Sequence, residues 1–345
     1  MTKEIKKIGI VGGGKMGTSI FNFLTKYNFQ IVWYNRTNAD KINNKHIRKL
    51  NRALKNNLIS KEEFELKIQS QVITNSINDL NDSCLIIECI NENLAAKQIL
   101  INELFTIAKP YTIIASNSSS FKPETLSKNN TQRERIVGLH FFFPVEIKNI
   151  VELVLSSYNS AETIKKIEGF LSSINKNYLI QNSESAFLLN RIMLKLQAAA
   201  FNFSTKNNCK FKQIDEVVKQ HLFPIGIFEM MDHIGIDIIY ESAKNYILDE
   251  EDKNLFLPIM NFMEQSIKNN NFGIRTGQGF YDYSNTISDL RIDNNKDKQI
   301  IKFLIDSYSV AYSWALAISN SKADDLDLYM NEYLDTDTKQ WNNID

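Results

Sequence analysis

Two patterns of apolar residues divide this 345-residue chain. Up to about residue 182, short unbroken apolar runs alternate with amphipathic stretches. Beyond that point the apolar positions recur at helical spacing. The runs are Ile8 to Val11, Ile31 to Tyr34, Cys84 to Ile90, Tyr111 to Ala115, Gly138 to His140 and Ile150 to Val154, with a last short one near Tyr178 to Ile180. Their lengths predict buried strands, and the intervening stretches, such as Ala161 to Ile174, predict helices. Residues 38 to 71 read as a helical hairpin inserted after the second strand, with Leu50, Leu54, Leu58 and Ile59 as its stripe and His46 as an exposed residue. The polar hinge Gln181 to Ser185 ends the alternation. Ala186 to Phe203, Phe211 to His221 and a segment after Pro224 then predict an all-helical region, closed by the glycine-rich turn Gly273 to Tyr281. Gln299 to Ala317 is strongly helical again. The expected organisation is an α/β domain over 1–182, an all-α domain over 183–284 and a helical extension over 285–345.

Composition narrows the setting. Lys plus Arg and Asp plus Glu balance at 40 each, so no global field favours nucleic acid or an anionic membrane. No apolar run approaches membrane-spanning length. The three cysteines, Cys84, Cys89 and Cys209, lack metal-ligand spacing and read as buried thiols in a reducing compartment. The amino-terminal residues pass into the first strand without a signal-type apolar region. The expectation is a soluble cytoplasmic protein.

The first strand runs directly into Gly12-Gly13-Gly14-Lys15-Met16-Gly17 and a helix, so Gly12, Gly14 and Gly17 fit G-x-G-x-x-G in its strand–turn–helix context. The first glycine permits the tight turn, the second lets backbone approach a pyrophosphate, and the third lets the helix pack closely on the strand. A dinucleotide cofactor is expected. An acid ending the second strand would bind the adenosine ribose, but Asn35-Arg36 stands there. That pair removes repulsion toward a 2′-phosphate and adds a cation, which tilts the choice between NAD and NADP slightly to NADP.

The chemistry concentrates in Gly138-Leu139-His140-Phe141-Phe142-Phe143-Pro144 and the following strand with Glu152 inside it. A charge within an apolar run is costly unless paired. Two neighbouring strands would bring His140 and Glu152 together, the carboxylate fixing one ring nitrogen as donor and leaving the other to accept a proton. A core histidine with a solvated glutamate is the plainer reading of the same residues. Other polar positions are Glu92 with Lys97 at a helix opening, Ser116 to Ser120 at a strand's carboxyl end, and Asn190 within an apolar helix start. Each would also serve as a surface pair, a turn or a satisfied core amide.

Taken together, G-x-G-x-M-G, I-N-E-N with its following lysine, S-N-S-S-S, H-F-F-x-P, V-E, L-N-R, G-I-F-E-x-x-D and T-G-x-G-F-Y resemble the 3-hydroxyacyl-CoA dehydrogenase family over residues 5 to 284. The resemblance implies a Rossmann-type domain followed by an all-α domain that usually forms the dimer. It implies an acyl-CoA substrate and hydride transfer with NAD or NADP. By similarity Ser119, His140, Glu152 and Asn190 occupy the catalytic positions, while Met16, Glu92, Lys97 and Asn117 occupy cofactor-side ones.

The chain departs from the pattern at Phe143, where the family usually has asparagine, and at Glu146, Asn149, Ala186 and Ile227. These put the substrate in question, so a free 3-hydroxy acid or a cofactor-binding relative with little turnover stand as alternatives. Basic Arg48, Lys49, Arg52 and Lys55 on the hairpin would favour CoA. The tail from 285 reads as a degenerate half-copy of the helical domain, with Ser319 to Asp327 matching Asn207 to Asp215 and Lys302 in place of Asn190.

Overall fold

The computed structural model describes residues 4–284, 294–319 and 321–343. The chain divides into two compact units, Met1–Ala186 and Phe187–Asp345. The first residues of the expected extension and Asn320 of the internal match lie outside the described residues.

The first unit is built from β1 (Lys7–Val11), α1 (Lys15–Leu24), β2 (Gln30–Tyr34), α2 (Ala39–Lys55), α3 (Lys61–Ser70), β3 (Gln71–Thr74), β4 (Leu85–Glu88), α4 (Leu94–Ile107), β5 (Ile113–Ser116), α5 (Pro123–Leu126), β6 (Ile136–Phe141), β7 (Ile150–Leu155), α6 (Ala161–Ser173) and β8 (Asn177–Asn182). The eight strands form one sheet in the order β3-β2-β1-β4-β5-β6-β7-β8. Every neighbouring pair is parallel except β6 and β7. The unbroken apolar runs follow from this burial on both faces. Ile8, Ile10 and Trp33 join Phe21 and Phe170 in one core cluster, while Val11, Val32 and Ile86 join Leu104 and Phe105 in the other. Loops after β1, β2, β4 and β5 therefore open on one edge of the sheet, the carboxyl edge where such sheets bind ligands.

Several local expectations need correction. The hairpin holds as α2 and α3, but β3 follows it, a short edge strand with Val72 exposed. Leu50 is the buried member of the expected stripe; Leu58 lies beyond α2 and is exposed. His46 is half-buried, its ring edge-on to Phe21 at 5.2 Å, and burial lowers its pKa. Cys84 and Cys89 are half-buried, and Cys209 is buried.

The second unit is helical: α7 (Leu188–Lys206), α8 (Phe211–His221), α9 (Ile227–Ile234), α10 (Ile236–Leu248), α11 (Leu257–Lys268), α12 (Asn294–Ser319) and α13 (Ala323–Leu334). Helix α7, buried along most of its length, packs against α8, α11 and α12. Two buried carboxylates knit the unit. Asp215 accepts the backbone N–H groups of Phe228 (3.0 Å) and Glu229 (2.8 Å) at the start of α9, and the Tyr281 hydroxyl at 2.6 Å. Asp232 accepts the N–H groups of Phe280 and Tyr281 and the Tyr283 hydroxyl. The motifs around Asp232 and Gly279 thus fold the unit. Lys210 and Lys322, matched in the internal comparison, are both N-cap residues of their helices, and Ile214 and Leu326 behind them are both fully buried. Among the described residues no helix is long and apolar enough to cross a membrane.

Candidate active site

The glycine turn after β1 is shaped as its spacing implies. Gly12 sits at φ +116°, where a side chain would meet the Cys89 carbonyl, and a Cβ on Gly17 would lie 2.2 Å from the Gly12 oxygen. The Trp33 indole N–H donates to that same oxygen at 2.8 Å and pins the turn on β2. A Cβ on Gly14 would enter open space, and Gly14 caps α1 without a side-chain hydrogen bond. Uncapped N–H groups facing an open approach are what a pyrophosphate requires, so these residues fit a dinucleotide. Met16 packs partly buried against the core below the turn.

At the end of β2, Asn35 is buried and its Oδ1 accepts from the N–H groups of Thr37 (3.3 Å) and Asn38 (3.1 Å). Its carbonyl oxygen therefore shapes the turn. Arg36 beside it is exposed, and no carboxylate pairs with it among the described residues.

Beyond β4, Glu92 organises the serine turn. Its Oε1 accepts from the backbone N–H groups of Ser119 (3.1 Å) and Ser120 (3.0 Å) and from the Ser120 hydroxyl at 2.8 Å. Ser118 Oγ accepts the N–H of Phe121, so Ser118 and Ser120 serve mainly as turn residues. Lys97 is 1 % exposed, with its ammonium 2.7 Å from Glu88 Oε1 and 3.4 Å from Glu92 Oε2. Burial alone would lower the Lys97 pKa, but the Glu88 and Glu92 charges overcome it and hold the ammonium above the usual lysine value. Glu88 also accepts the Ser116 hydroxyl and the Ile90 N–H, which satisfies a carboxylate with no exposed surface. The sequence carries the same signal for Glu88 as for Glu152, a carboxylate inside an apolar run.

His140 and Glu152 face each other in the antiparallel register of β6 and β7. Directly opposed residues put both side chains on one face of the sheet. His140 Nδ1 lies 2.7 Å from Glu152 Oε2, and Glu152 Oε1 accepts from Gln181 Nε2 on β8 at 2.8 Å. Glu152 is fully buried and His140 is 7 % exposed. With Nδ1 donating to the carboxylate, Nε2 carries the lone pair. The Asn117 amide oxygen accepts the Phe141 N–H at 2.9 Å and ties the end of β5 to the strand bearing the histidine. The Phe142 ring packs on His140, 4.5 Å between centroids. At the departures from the family pattern, the Lys15 ammonium rests over the Phe143 ring (4.0 Å), and Glu146 accepts from Ser19 Oγ at 2.7 Å. Gln181, expected in the hinge, lies within β8 instead, paired with Val154.

In the helical unit, Asn190 stands in the first turn of α7. Its Nδ2 donates to the Tyr246 hydroxyl at 3.2 Å, and its Oδ1 accepts from the Tyr333 hydroxyl at 3.0 Å. Both tyrosines are remote from Asn190 along the chain, and no local pattern marks either.

A mostly parallel sheet with a phosphate-shaped glycine turn and a carboxylate-oriented histidine at the same edge defines a dinucleotide-dependent oxidoreductase. Comparison with known proteins makes this specific. Residues 7–183 match the NAD binding domain of 3-hydroxyacyl-CoA dehydrogenase and residues 187–283 match its C-terminal domain. The mitochondrial hydroxyacyl-coenzyme A dehydrogenase of Sus scrofa is 28 % identical, covering 81 % of this chain and 91 % of its own. A probable 3-hydroxybutyryl-CoA dehydrogenase of Bacillus subtilis is also 28 % identical, over 83 % of this chain and all of its own. The crystal structure of (S)-3-hydroxybutyryl-CoA dehydrogenase from Ralstonia eutropha superposes with a TM-score of 0.72 at 26 % identity, over 82 % of this chain and 100 % of that one. The chain belongs to the 3-hydroxyacyl-CoA dehydrogenase family. Its chemistry is the NAD-dependent interconversion of a 3-hydroxyacyl-CoA and a 3-oxoacyl-CoA.

Proposed function

We propose that this dehydrogenase acts on short-chain acyl-CoA with His140 as its general base. The observation that carries the reading is the 2.7 Å contact from His140 Nδ1 to Glu152, itself held by Gln181. In the oxidising direction Nε2 takes the proton of the C3 hydroxyl, and the resulting imidazolium rests against the buried carboxylate. Bound NAD supplies the hydride acceptor. Ser119 donates a hydrogen bond to the reacting oxygen and holds it for the transfer, and Asn190, in the helical unit, is assigned to substrate by the family resemblance. In reduction the imidazolium returns its proton to the carbonyl oxygen. Gly12, Gly14, Met16 and Gly17 hold the cofactor at the start of α1. Glu92, Lys97 and Asn117 serve its nicotinamide side by fixing the serine turn and the end of β6.

Arg48, Lys49, Arg52 and Lys55 are all exposed on α2 and favour a phosphorylated CoA over a free hydroxy acid. Nicotinamide absorbance with acetoacetyl-CoA, set against free acetoacetate, tests this. Oxidation of NADH by the thioester alone is expected, and equal rates with the free acid would refute the CoA preference. Exposed Arg36 further supports admission of NADP, preferred by about five- to thirtyfold from ~1–2 kcal/mol of charge-assisted contact. Arg36→Ala should weaken NADPH binding and leave NADH binding near its original value. Tighter binding of NADH than NADPH by the unmodified protein would sink the NADP reading. Exposed Ile234, Ile238, Leu248 and Leu257 suit a homodimer through the helical unit, and the thiols suit a reducing cytoplasm.

A further inference from the structure

Asn190 is held at both ends of its amide. Tyr246, from the last turn of α10, receives one Nδ2 hydrogen, and Tyr333, from the last turn of α13, donates to Oδ1. An asparagine amide has two N–H donors and two acceptor lone pairs. These contacts engage one of each and fix the plane of the group, leaving one N–H and one lone pair for a further partner. Helix α13 lies beyond residue 283, where the match to the family's C-terminal domain ends. The second of the two restraints therefore comes from the extension.

The extension is firmly seated. Met330 and Leu334, flanking Tyr333 on α13, are 0 % and 3 % exposed. Just past the helix, Thr336 Oγ1 donates to the Leu222 carbonyl at 2.7 Å, and the Trp341 indole N–H donates to the same oxygen at 3.1 Å. Trp341 also packs edge-on against Tyr308 of α12 at 4.8 Å. An anchored helix end presents its hydroxyl with little freedom to swing away. A side chain that served packing alone would not need its single polar atom directed at an amide in the first turn of α7.

We infer that Tyr333 is a positioning residue for Asn190, through which the carboxyl-terminal extension sets the orientation of the substrate-binding amide. The inference rests on the role given to Asn190 above. Without the Tyr333 hydroxyl the amide turns about its side-chain bonds and presents its N–H in the productive direction for a smaller fraction of the time. The loss falls on turnover more than on cofactor binding.

The test is acetoacetyl-CoA reduction by the full chain and by Tyr333→Phe, Asn190→Ala and the double variant, with NADH affinity followed separately by fluorescence. Loss of one orienting hydrogen bond should lower kcat by about three- to tenfold. NADH affinity should stay unchanged, and Tyr333→Phe should add nothing further in the Asn190→Ala background. Thr336→Val removes an anchor of the same segment without touching Asn190. It should lower the melting temperature and, with the Trp341 contact still in place, reduce kcat by less than Tyr333→Phe does, and not at all in the Asn190→Ala background, which separates positioning from packing. An undiminished kcat in Tyr333→Phe beside an impaired Asn190→Ala overturns this inference and leaves the catalytic reading standing. Equal losses from Tyr333→Phe in both backgrounds overturn it as well. Full turnover by Asn190→Ala removes the role of Asn190 itself, and this inference with it.

Discussion

The first unit buries two strand carboxylates completely, Glu88 on β4 and Glu152 on β7, and they do different work. Glu88 meets an ammonium at 2.7 Å; Glu152 meets an imidazole at the same distance. A lysine ammonium has donors only, so the Glu88–Lys97 pair closes on itself and on the serine turn. An imidazole donating through one nitrogen still carries a lone pair on the other. Burial of a carboxylate therefore marks a place that needs a partner. Whether the place is structural or chemical depends on what the partner can still do.

The largest effect that separates the two should come from His140→Ala. Removing a general base costs on the order of 10²–10⁴-fold in hydride transfer, while cofactor binding stays close to that of the unmodified chain. Turnover that survives in this variant would move the base elsewhere and dissolve the distinction. Lys97→Met should act chiefly on stability. It strands Glu88 without a counter-charge and should lower stability by about 3–5 kcal/mol in denaturant unfolding. Adding Glu88→Gln to it should restore part of the loss. An unchanged unfolding midpoint in Lys97→Met would mean that the buried pair is not what holds this region.

A smaller effect extends the comparison to the helical unit. Burial raises the Asp215 carboxyl to about 6 from the ordinary 3.8, despite its hydrogen bonds to Tyr281, Phe228 and Glu229. The folded state thus holds this proton more tightly than the unfolded chain. The associated stability is fully present below about pH 3.8 and is lost as pH rises through about 6, a swing of up to ~3 kcal/mol. Unfolding free energies of the unmodified chain and Asp215→Asn, measured at several pH values across that window, should diverge with this sign. Parallel curves would show that Asp215 titrates alike in both states.

The architecture was largely legible because continuous apolar runs have few folded solutions other than strands buried on both faces. The edge strand β3 was not legible: Gln71 to Thr74 abuts a helix, and one of its apolar residues faces water. The His140–Glu152 pair was legible because a charge inside an apolar run demands a partner and a short connection limits where that partner lies. Gln181 sits one strand further away, and nothing local marks it. Tyr333 and Asn190 are 143 residues apart, a pairing that no local pattern encodes.

The antiparallel register of β6 and β7 has a further consequence. The alignment of acid and base is written into the ladder of backbone hydrogen bonds, so the connection from Phe142 to Asn149 need not maintain it. Three of the positions set apart from the resembled motif pattern, Phe143, Glu146 and Asn149, fall within that connection. A change there would recut the rim around a fixed die, and the His140–Glu152 pair would keep its spacing. The spacing of the pair and the make-up of the rim are thereby set by different parts of the chain, one by a backbone ladder and the other by a loop.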